Sequence, residues 1–513
     1  MIFLQKVLTF QKEIVSLSSK YKKQNNMKRN LLIVSMAMLP MLAGAYHAEI
    51  AGIYYNFSGE EAEVTYQSQL DDNPFFMSDY SGAVVIPETV TYKDVTYRVT
   101  RIGNFAFNGC QKLTSVSIPE SVTSIGGDAF YGCSGLTTIT IPESVTSIAS
   151  NTFEYCTGLT SVSIPNSISS IGESAFAYCS SLTSVNIPES VTRIGGFAFS
   201  ACTNLKEFTV PETLTSIGQN AFYATTWYNA QPEGLVYVGK VAYRYKGTMP
   251  EGTRITIEEG TTGIADNAFK DCNGLDSIAI PETVKRIGKT AFSGCNSLSS
   301  ITMSSSVNSI GGGAFEGCSG LQKVVVPNIA AWCGISFEDY TANPLYYAQH
   351  IYSNEETEIT DLFIPSGVTS IGKAAFSNCS NLTFVYIPAS VTSIGNIAFY
   401  GCKGLRHVLC LAETVPDAYS NAFNNLRTAS VTLFVPENSI EEYRTTSPWS
   451  DFGKIVAFIG DLNDDLKVDI ADGVCVLEVL AADEYSEAAD INGDGKVDIA
   501  DFVAILNIMA SWK

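Results

Sequence analysis

Two acidic stretches near the end of the chain carry the residue types and the spacing of a cation site. They read DLNDDLKVDIAD over residues 461–472 and DINGDGKVDIAD over residues 490–501. Calcium takes about six to eight oxygen ligands, and a twelve-residue loop supplies them from positions 1, 3, 5, 7, 9 and 12. The predicted ligands are Asp461, Asn463, Asp465, the Lys467 carbonyl, Asp469 and Asp472 in the first stretch, and Asp490, Asn492, Asp494, the Lys496 carbonyl, Asp498 and Asp501 in the second. The sequence therefore predicts two Ca²⁺ sites, and the alternative is an acidic surface that binds no metal.

The two stretches differ at position 6, where such a loop turns sharply. The second stretch has Gly495 there, and the first has Leu466. A left-handed backbone conformation costs a non-glycine residue about 1 kcal/mol. We therefore expect the site at residues 490–501 to bind Ca²⁺ more tightly than the site at residues 461–472.

An apolar, helix-like run follows each acidic stretch, VCVLEVL at 474–480 and FVAILNIMA at 502–510. Position 12 is aspartate in both loops, and no helix precedes the first loop. Together with the tandem duplication, this arrangement resembles a type I dockerin over about residues 457–513. The resemblance implies Ca²⁺-dependent docking onto a cohesin-like protein through the helix after each loop and through loop positions 10 and 11, which are Ile470, Ala471, Ile499 and Ala500.

The long middle of the chain repeats with a period of 23 residues. Residues 126–148 read GGDAFYGCSGLTTITIPESVTSI and residues 172–194 read GESAFAYCSSLTSVNIPESVTRI. Stacked repeats of fixed period with several apolar columns indicate a solenoid, because each rung leaves an apolar side that only the next rung covers. Leu136, Ile139 and Ile141 have the spacing of a leucine-rich repeat strand. The predicted fold is a β-rich leucine-rich-repeat solenoid with a parallel sheet, followed by a small α-helical domain that contains the paired calcium loops.

The repeat unit SIGxxAFxxCxxLTSVxIPxSVT resembles the BspA-like, treponemal type of bacterial surface leucine-rich repeats over about residues 83–440. That resemblance implies a secreted or surface-exposed protein, mostly without enzymatic activity, that adheres to host proteins or to other cells.

The start of the chain predicts export. Residues 27–45, MKRNLLIVSMAMLPMLAGA, have the basic region, short apolar core and small-residue end of a signal peptide that is cleaved after Ala45. Residues 1–26 are interpreted as an upstream extension, or alternatively as an extended basic region. No other run is long and apolar enough for a transmembrane helix. The remaining predicted segments are an N-terminal cap (46–100), the solenoid (101–440) with insertions at 224–256 and 328–361, a C-terminal cap or linker (441–456) and the dockerin-like domain (457–513).

Ten of the thirteen cysteines follow the period. Equivalent positions in stacked rungs project in parallel, whereas a disulfide needs converging Cβ atoms. We therefore expect buried free thiols that act as small apolar side chains, with disulfides as the alternative. The periodic cysteines are Cys110, Cys133, Cys156, Cys179, Cys202, Cys272, Cys295, Cys318, Cys379 and Cys402.

The strand positions that flank the central apolar residue face away from the core, and they change character along the chain. In the N-terminal rungs they are mostly Ser and Thr. Further on they include Lys323, Phe384, Tyr386, His407 and Leu409, which are the predicted ligand-binding residues. The alternative is that the insertion at 328–361 folds across this face and covers it. The aromatic residues of both insertions are expected to pack locally, or alternatively to form a stacking platform for a ligand.

Composition and motifs reduce the number of function classes that fit the chain. The chain has 31 basic and 52 acidic residues, a net charge of −21, which is a poor match to nucleic acid. It lacks a nucleophile elbow, an HExxH motif and a phosphate loop. We therefore expect a secreted or cell-surface, non-enzymatic binding protein whose solenoid recognises a host or bacterial protein or a glycan. The alternatives are a component of a polysaccharide-degrading assembly, with paired carboxylates as a hydrolytic site, and a structural spacer.

Overall fold

The structure is a computed structural model that describes residues 46–69, 76–77, 79–463, 468, 470–482, 486, 488–492 and 495–511. The predicted signal region at residues 1–45 lies outside these described residues. The chain forms two compact units. The first contains the described residues up to Pro188 together with Ala198–Thr209 and Phe222–Trp227, and the second contains Glu189–Phe197, Val210–Ala221 and the chain from Tyr228 onward.

A mixed sheet precedes the first rungs. Strands β1, β2 and β3 pair antiparallel in succession, β3 pairs parallel with β8, and β7 pairs antiparallel with β8. Its buried side, which includes Tyr55, Val64 and Val99, closes the apolar end that an open stack of repeats would expose. The strands are β1 (Ala48–Ile50), β2 (Ile53–Ser58), β3 (Glu61–Thr65), β4 (Ser68–Gln69), β5 (Phe76–Met77), β6 (Gly82–Val85), β7 (Thr89–Tyr92) and β8 (Val95–Ile102).

Each of the following repeats contributes one longer strand and one two-residue strand. The strands are β9 (Leu113–Ser117), β10 (Ser124–Ile125), β11 (Thr138–Thr140), β12 (Ser147–Ile148), β13 (Ser161–Ser163), β14 (Ser170–Ile171), β15 (Ser184–Asn186), β16 (Arg193–Ile194), β17 (Glu207–Thr209) and β18 (Ser216–Ile217). Neighbouring strands pair parallel, with Thr138 opposite Ser161 and Ser147 opposite Ser170. Both pairs are one period apart in sequence, so the predicted parallel sheet with 23-residue rungs is confirmed.

The rungs of the second unit continue in the same way, with additional elements in the two insertions. The strands are β19 (Gly234–Val238), β20 (Val241–Lys246), β21 (Thr253–Thr256), β22 (Gly263–Ile264), β23 (Leu275–Ala279), β24 (Arg286–Ile287), β25 (Ser300–Thr302), β26 (Ser309–Ile310), β27 (Lys323–Val325), β28 (Ser336–Phe337), β29 (Ile351–Tyr352), β30 (Asp361–Phe363), β31 (Ser370–Ile371), β32 (Phe384–Ile387), β33 (Ser393–Ile394), β34 (His407–Cys410), β35 (Asp417–Ala418), β36 (Thr432–Val435) and β37 (Lys454–Ala457). The helices are α1 (Thr226–Ala230), α2 (Ile329–Cys333), α3 (Leu345–Ala348), α4 (Ile440–Thr445), α5 (Ile470–Ala481) and α6 (Ile499–Ser511).

The recurring Ile-Pro pair stands at the end of many of the longer strands. Proline has no N–H to donate to a sheet, and its φ favours a turn. The carbonyl of Pro142 accepts the N–H of Val145 at 3.1 Å, and Pro119 accepts that of Val122 at the same distance. The turn returns the chain to the core, where both valines are buried.

Stacked phenylalanines form the centre of each unit. The ring centroids of Phe107 and Phe130 are 4.9 Å apart, and those of Phe130 and Phe153 are 5.3 Å apart, with nearly parallel planes. Backbone bonds run between the same rungs, as from Phe130 N–H to the Thr152 carbonyl at 2.8 Å. Stacking and hydrogen bonding therefore hold successive rungs in one register.

Seven of the ten periodic cysteines bond through Sγ to a phenylalanine carbonyl of the rung before them. Cys133 Sγ lies 3.0 Å from the carbonyl of Phe107, and Cys156 Sγ lies 3.1 Å from that of Phe130. All thirteen cysteines are free and lie in the described part of the chain. Nine of the ten periodic ones are buried, and Cys272 is half-buried. The prediction of buried free thiols is confirmed for these nine.

The two insertions extend the core with their aromatic residues. Strands β19 and β20 form the hairpin predicted within residues 224–256, and they pair antiparallel. Tyr228 and Tyr243 in this insertion are buried. In the other insertion Trp332 is buried, and its Nε1–H donates to the carbonyl of Ala375 at 2.7 Å. For these three residues the structure shows local packing.

Helices α5 and α6 share a small core of their own. Val468, Val476, Ile491 and Ile505 are buried together. The helices approach closely at Gly473, where a Cβ atom would lie 2.7 Å from a ring carbon of Phe502. Among the described residues, no helix is long and apolar enough to span a membrane.

Candidate functional site: the acidic loops and the strand face

The loop at residues 490–501 is organised around a fully buried carboxylate. Asp501 lies in the first turn of α6 and is not exposed to solvent. Its Oδ1 accepts the N–H of Asn492 at 3.0 Å, and its Oδ2 accepts the N–H of Asp498 at 2.8 Å. Gly495 has a φ of +82° and donates its N–H to Oδ2 of Asp490 at 2.8 Å. Glycine is needed at this position, because the chain turns there in the left-handed region.

The loop at residues 461–472 repeats part of this arrangement. Asp472 is also fully buried at the start of a helix, α5. Its Oδ1 accepts the N–H of Leu462 at 2.7 Å and that of Asn463 at 3.3 Å. In both loops, therefore, the carboxylate at position 12 holds the backbone near the start of the loop.

The donor chemistry of these loops fits a hard cation. The carboxylates of Asp472 and Asp501 have no solvent exposure, and burying a charged group costs free energy unless hydrogen bonds or an opposite charge compensate it. The hydrogen bonds described above come from neutral backbone N–H groups, so a cation would supply the opposite charge. Among the residues that the structure describes, no three His, Cys, Asp or Glu side chains converge closely enough to hold a metal ion. Four predicted ligand residues lie outside the described residues, namely Asp465, Lys467, Asp469 and Asp494. The two Ca²⁺ sites thus stay a prediction, with Asp461, Asn463, Asp490, Asn492, Lys496 and Asp498 as their other described members.

An exposed apolar stripe lies on each of the two tail helices. Ile470 is 54% exposed and Ile499 is 60% exposed. The exposed apolar residues four and seven positions further on are Val474 and Leu477 in α5, and Val503 and Leu506 in α6. Residues with this spacing share one helix face. Ala471 and Ala500, the other two predicted partner-binding residues, are exposed as well.

Sequence reasoning named only the first residues of each stripe. The continuation was present in the helical spacing of VCVLEVL and FVAILNIMA, but an apolar helix residue is more often buried than exposed. Whether an apolar residue of α5 or α6 is buried or exposed depends on which side of each helix packs onto the other.

An aromatic group lies on the outer face of the C-terminal strands. Phe384 and Tyr386 are half-buried on β32. Phe363, on the adjacent β30, is exposed, and its ring centroid lies 5.6 Å from that of Phe384 and 6.1 Å from that of Tyr386. Phe363 was missed by the sequence reasoning, although it stands one period before Tyr386.

Leu409 and His407 differ in their access to solvent. Leu409 is fully buried, so the expectation of an exposed leucine is wrong. It lies in register between Tyr386 and Phe434, whose larger side chains flank it on the same face of the sheet. His407 is half-buried, with its ring centroid 5.9 Å from that of Phe434.

Two residues of the insertion at residues 328–361 contact the side chain of Lys323. The Lys323 ammonium group lies 2.6 Å from Oε2 of Glu355, and Thr302 donates its hydroxyl to Oε1 of the same carboxylate at 2.9 Å. The Lys323 ammonium group also lies 5.3 Å from the centroid of the Tyr352 ring. At this position the insertion does cover the strand face, as the alternative interpretation held.

The first acidic loop lies near the aromatic group. Burial, and then charge repulsion by Cys410 and Asp461, raises the pKa of Tyr386. Phe458, three residues before Asp461, donates its N–H to the carbonyl of Val435 in β36 at 2.8 Å.

The comparisons with known proteins agree with the repeat architecture. The family described as "BspA type Leucine rich repeat region (6 copies)" matches residues 98–229, 237–340 and 348–445. A comparison with curated proteins gives no match.

Several solved structures are similar to this chain. A leucine-rich cell surface protein from Faecalibacterium prausnitzii is 26% identical over 70% of this chain and 93% of its own, with a TM-score of 0.32. A leucine-rich repeat protein from Bacteroides ovatus is 27% identical over 80% of this chain and 100% of its own, with a TM-score of 0.34. A leucine-rich repeat protein from T. pallidum is 24% identical over 49% of this chain and 90% of its own, with a TM-score of 0.28. None of these names states an enzymatic activity.

Proposed function

Because the chain belongs to the BspA-type leucine-rich repeat family, we propose that it is a secreted or cell-surface binding protein without enzymatic activity. Its solenoid recognises a protein or glycan. Its C-terminal tail binds Ca²⁺ and attaches the solenoid to a cohesin-like partner.

The duplicated apolar stripe is the observation that carries the attachment proposal. Ile470 and Ile499 each begin a stripe that continues with exposed residues four and seven positions later. An exposed row of aliphatic side chains is costly in water and is a feature of protein-binding surfaces. The two stripes occupy the same positions relative to two similar acidic loops, so each half of the tail offers a similar docking surface.

The chain's own residues prepare the loops for a cation. Asp472 and Asp501 hold the loop backbone and lie in the first turns of α5 and α6, where a negative charge is favourable. Bound Ca²⁺ would neutralise the clustered carboxylates of each loop and draw its oxygen atoms together. The small core of the tail then orients both stripes outward.

The solenoid part of the proposal is supported by the exposed aromatic residue Phe363 beside Phe384 and Tyr386. Half-exposed aromatic rings on adjacent strands offer a large contact area at a small entropic cost.

The experiment is a binding assay with the purified chain from residue 46 to residue 513. The chain is immobilised and exposed to a panel of purified cohesin modules, once with Ca²⁺ and once with a chelator. Binding of a module with Ca²⁺ and its loss with chelator supports the attachment. Binding that is equal in both conditions, or no binding to any module of the panel, contradicts it.

A further inference from the structure

Three tyrosines on successive rungs form an exposed aromatic stack on the turn side of the first unit. Tyr131, Tyr155 and Tyr178 occupy the turns between the buried phenylalanine and cysteine columns. The ring centroids of Tyr155 and Tyr178 are 4.4 Å apart with an interplanar angle of 4°. Tyr131 meets Tyr155 edge-on at 5.5 Å. Tyr155 is 38% exposed and Tyr178 is 44% exposed, so these rings add little to the core.

The backbone at these tyrosines is in a conformation that suits glycine. Tyr155 has a φ of +60° and Tyr178 a φ of +62°. The equivalent positions of other rungs hold Gly109, Gly132, Gly294, Gly317 and Gly401, but also Ala201, Ala224, Asp271, Asn378 and Asn425, all with a positive φ. The left-handed conformation therefore belongs to this turn of the repeat, although it is unfavourable for a residue with a Cβ atom. What sets Tyr155 and Tyr178 apart from the other occupants is a large aromatic ring that is partly exposed.

One ring face at the end of the stack is open to a ligand. The position equivalent to Tyr178 in the next rung is Ala201, which also has a positive φ, of 57°. A methyl group therefore stands where another ring would continue the stack. Tyr223, two rungs on from Tyr178, is exposed as well. The gap above Ala201 is bounded by the ring of Tyr178 on one side.

Carboxylates border the stack. Asn151 donates its Nδ2–H to Oδ1 of Asp128 at 3.2 Å. Burial, and then the neighbouring charges of Asp128 and Glu173, raises the pKa of Glu154. Burial, and then the negative charges of Glu154 and Asp128, raises the pKa of Tyr131. Such a surface repels anions, and it accepts hydrogen bonds from hydroxyl groups.

We propose that the outer face of the Tyr178 ring, with Tyr155 packed behind it, stacks against a pyranose ring of a neutral glycan, and that Asp128 and Glu154 accept hydrogen bonds from hydroxyl groups of the same glycan. A sugar ring offers both the apolar C–H face and the hydroxyl edge that this combination recognises. A protein partner fits less well, because a stable protein interface buries about 800 Å² on each side and three rings amid short polar side chains cover far less. The inference deepens the proposed function, since it names the ligand class and the place on the solenoid.

The test is a glycan array of neutral and acidic glycans probed with the chain from residue 46 to residue 513, followed by calorimetry with the best neutral oligosaccharide. The variant is Tyr155→Gly/Tyr178→Gly, which removes both rings and relieves the backbone. We expect binding of neutral glycans, an affinity at least about tenfold lower in the double variant, and an unchanged or higher Tm. The matched control is Tyr419→Ala, an exposed tyrosine outside the stack.

Each other outcome overturns the inference. These are unchanged glycan affinity in the double variant, binding of acidic glycans alone, and binding of no glycan. If the double variant instead loses binding to a protein ligand of the wild-type chain, the stack is a protein interface. Ca²⁺-dependent capture of a cohesin module, measured on the same samples, separates failure of this inference from failure of the attachment proposal.

Discussion

The carboxylate of Asp501 accepts the backbone N–H of Asn492 at 3.0 Å and thereby ties the first turn of α6 to the start of the loop before it. Asp472 makes the corresponding contact with Leu462 at 2.7 Å. Because one side chain joins the loop entry to the helix start, loop closure and helix formation are coupled. Ca²⁺ affinity and helix content of the tail should therefore change together.

The first prediction concerns the buried carboxylate itself. Asp501→Asn keeps the size of the side chain and an oxygen for the N–H of Asn492, but it removes the charge. We expect the Ca²⁺ affinity of the 490–501 loop to fall about tenfold or more, because a charged ligand is lost. Calorimetric titration measures the affinity, and circular dichroism at 222 nm measures the helix content with and without Ca²⁺.

Asp451→Asn is the matched control, because that carboxylate is exposed and lies before the tail. Identical titrations for Asp501→Asn and the wild-type chain would show that Asp501 does not bind the metal.

The second prediction concerns position 6 of the two loops. Leu466→Gly should tighten the first site by about fivefold, the equivalent of about 1 kcal/mol, because glycine adopts the left-handed conformation without penalty. Gly495→Leu should weaken the second site by a similar factor, since Gly495 has a φ of +82°. Titration of both variants gives the two affinities. If the wild-type first site already binds as tightly as the second, the expected ranking is wrong.

The third prediction concerns the duplicated stripe. Ile470→Asp or Ile499→Asp alone should leave cohesin binding within about threefold of the wild-type chain, because the other half still presents its stripe. The double variant should lose binding, since a buried unpaired charge would then face the partner on either side. Surface plasmon resonance with a cohesin module that binds the wild-type chain measures all three.

Val85→Asp serves as the control, because Val85 is strongly exposed and distant in sequence from the tail. Loss of binding in one single variant alone would show that the halves are not equivalent.

The fourth prediction concerns alkaline pH. Burial raises the pKa of Cys156, Cys318 and Cys402 to about 12, whereas the ordinary value is near 9. The native thiols therefore keep their protons where the unfolded chain releases them. The stabilising effect is complete below about pH 9 and is lost as the pH rises toward 12, by up to about 1.4 kcal/mol per pH unit for each such thiol.

Denaturant unfolding between pH 8 and pH 11 checks this expectation, with Cys156→Ala as the comparison. Cys156→Ala should have a lower free energy of unfolding than the wild-type chain at pH 8, and this free energy should fall less steeply as the pH rises. Thiol labelling at pH 8 gives a second readout, in which Cys475 and Cys272, the two cysteines that are not buried, should react before the others. Rapid labelling of Cys156 in the native chain would contradict the conclusion that its thiol is buried and keeps its proton.

The repeat architecture could be predicted from the sequence because its physical constraints are local and periodic. Phe130 and Cys133 recur at fixed spacing, and both are fully buried. The turn after the strand is set locally as well, because Pro119 and Pro142 accept the N–H three residues further on at the same distance.

The exposed features could not be predicted as well, because they depend on what lies next to them. Leu409 occupies an outward strand position, yet Tyr386 and Phe434 flank it and it is buried. Lys323 was a predicted ligand-binding residue, but the insertion supplies Glu355 as its partner. Tyr155 occupies a turn position whose residue type varies between rungs, and its stacking on Tyr178 is visible only in the structure.

The phenylalanine stack has a consequence for how such a chain changes over generations. Phe130 receives its stacking contacts from Phe107 and Phe153, which are one period away on either side. A duplication or deletion of 23 residues would give each remaining ring an equivalent neighbour. Phe399 and Phe423, which are 24 residues apart, also stack, so the column tolerates one extra residue in a rung. Slippage of the coding DNA by whole repeats can therefore lengthen or shorten the molecule without redesigning its interior.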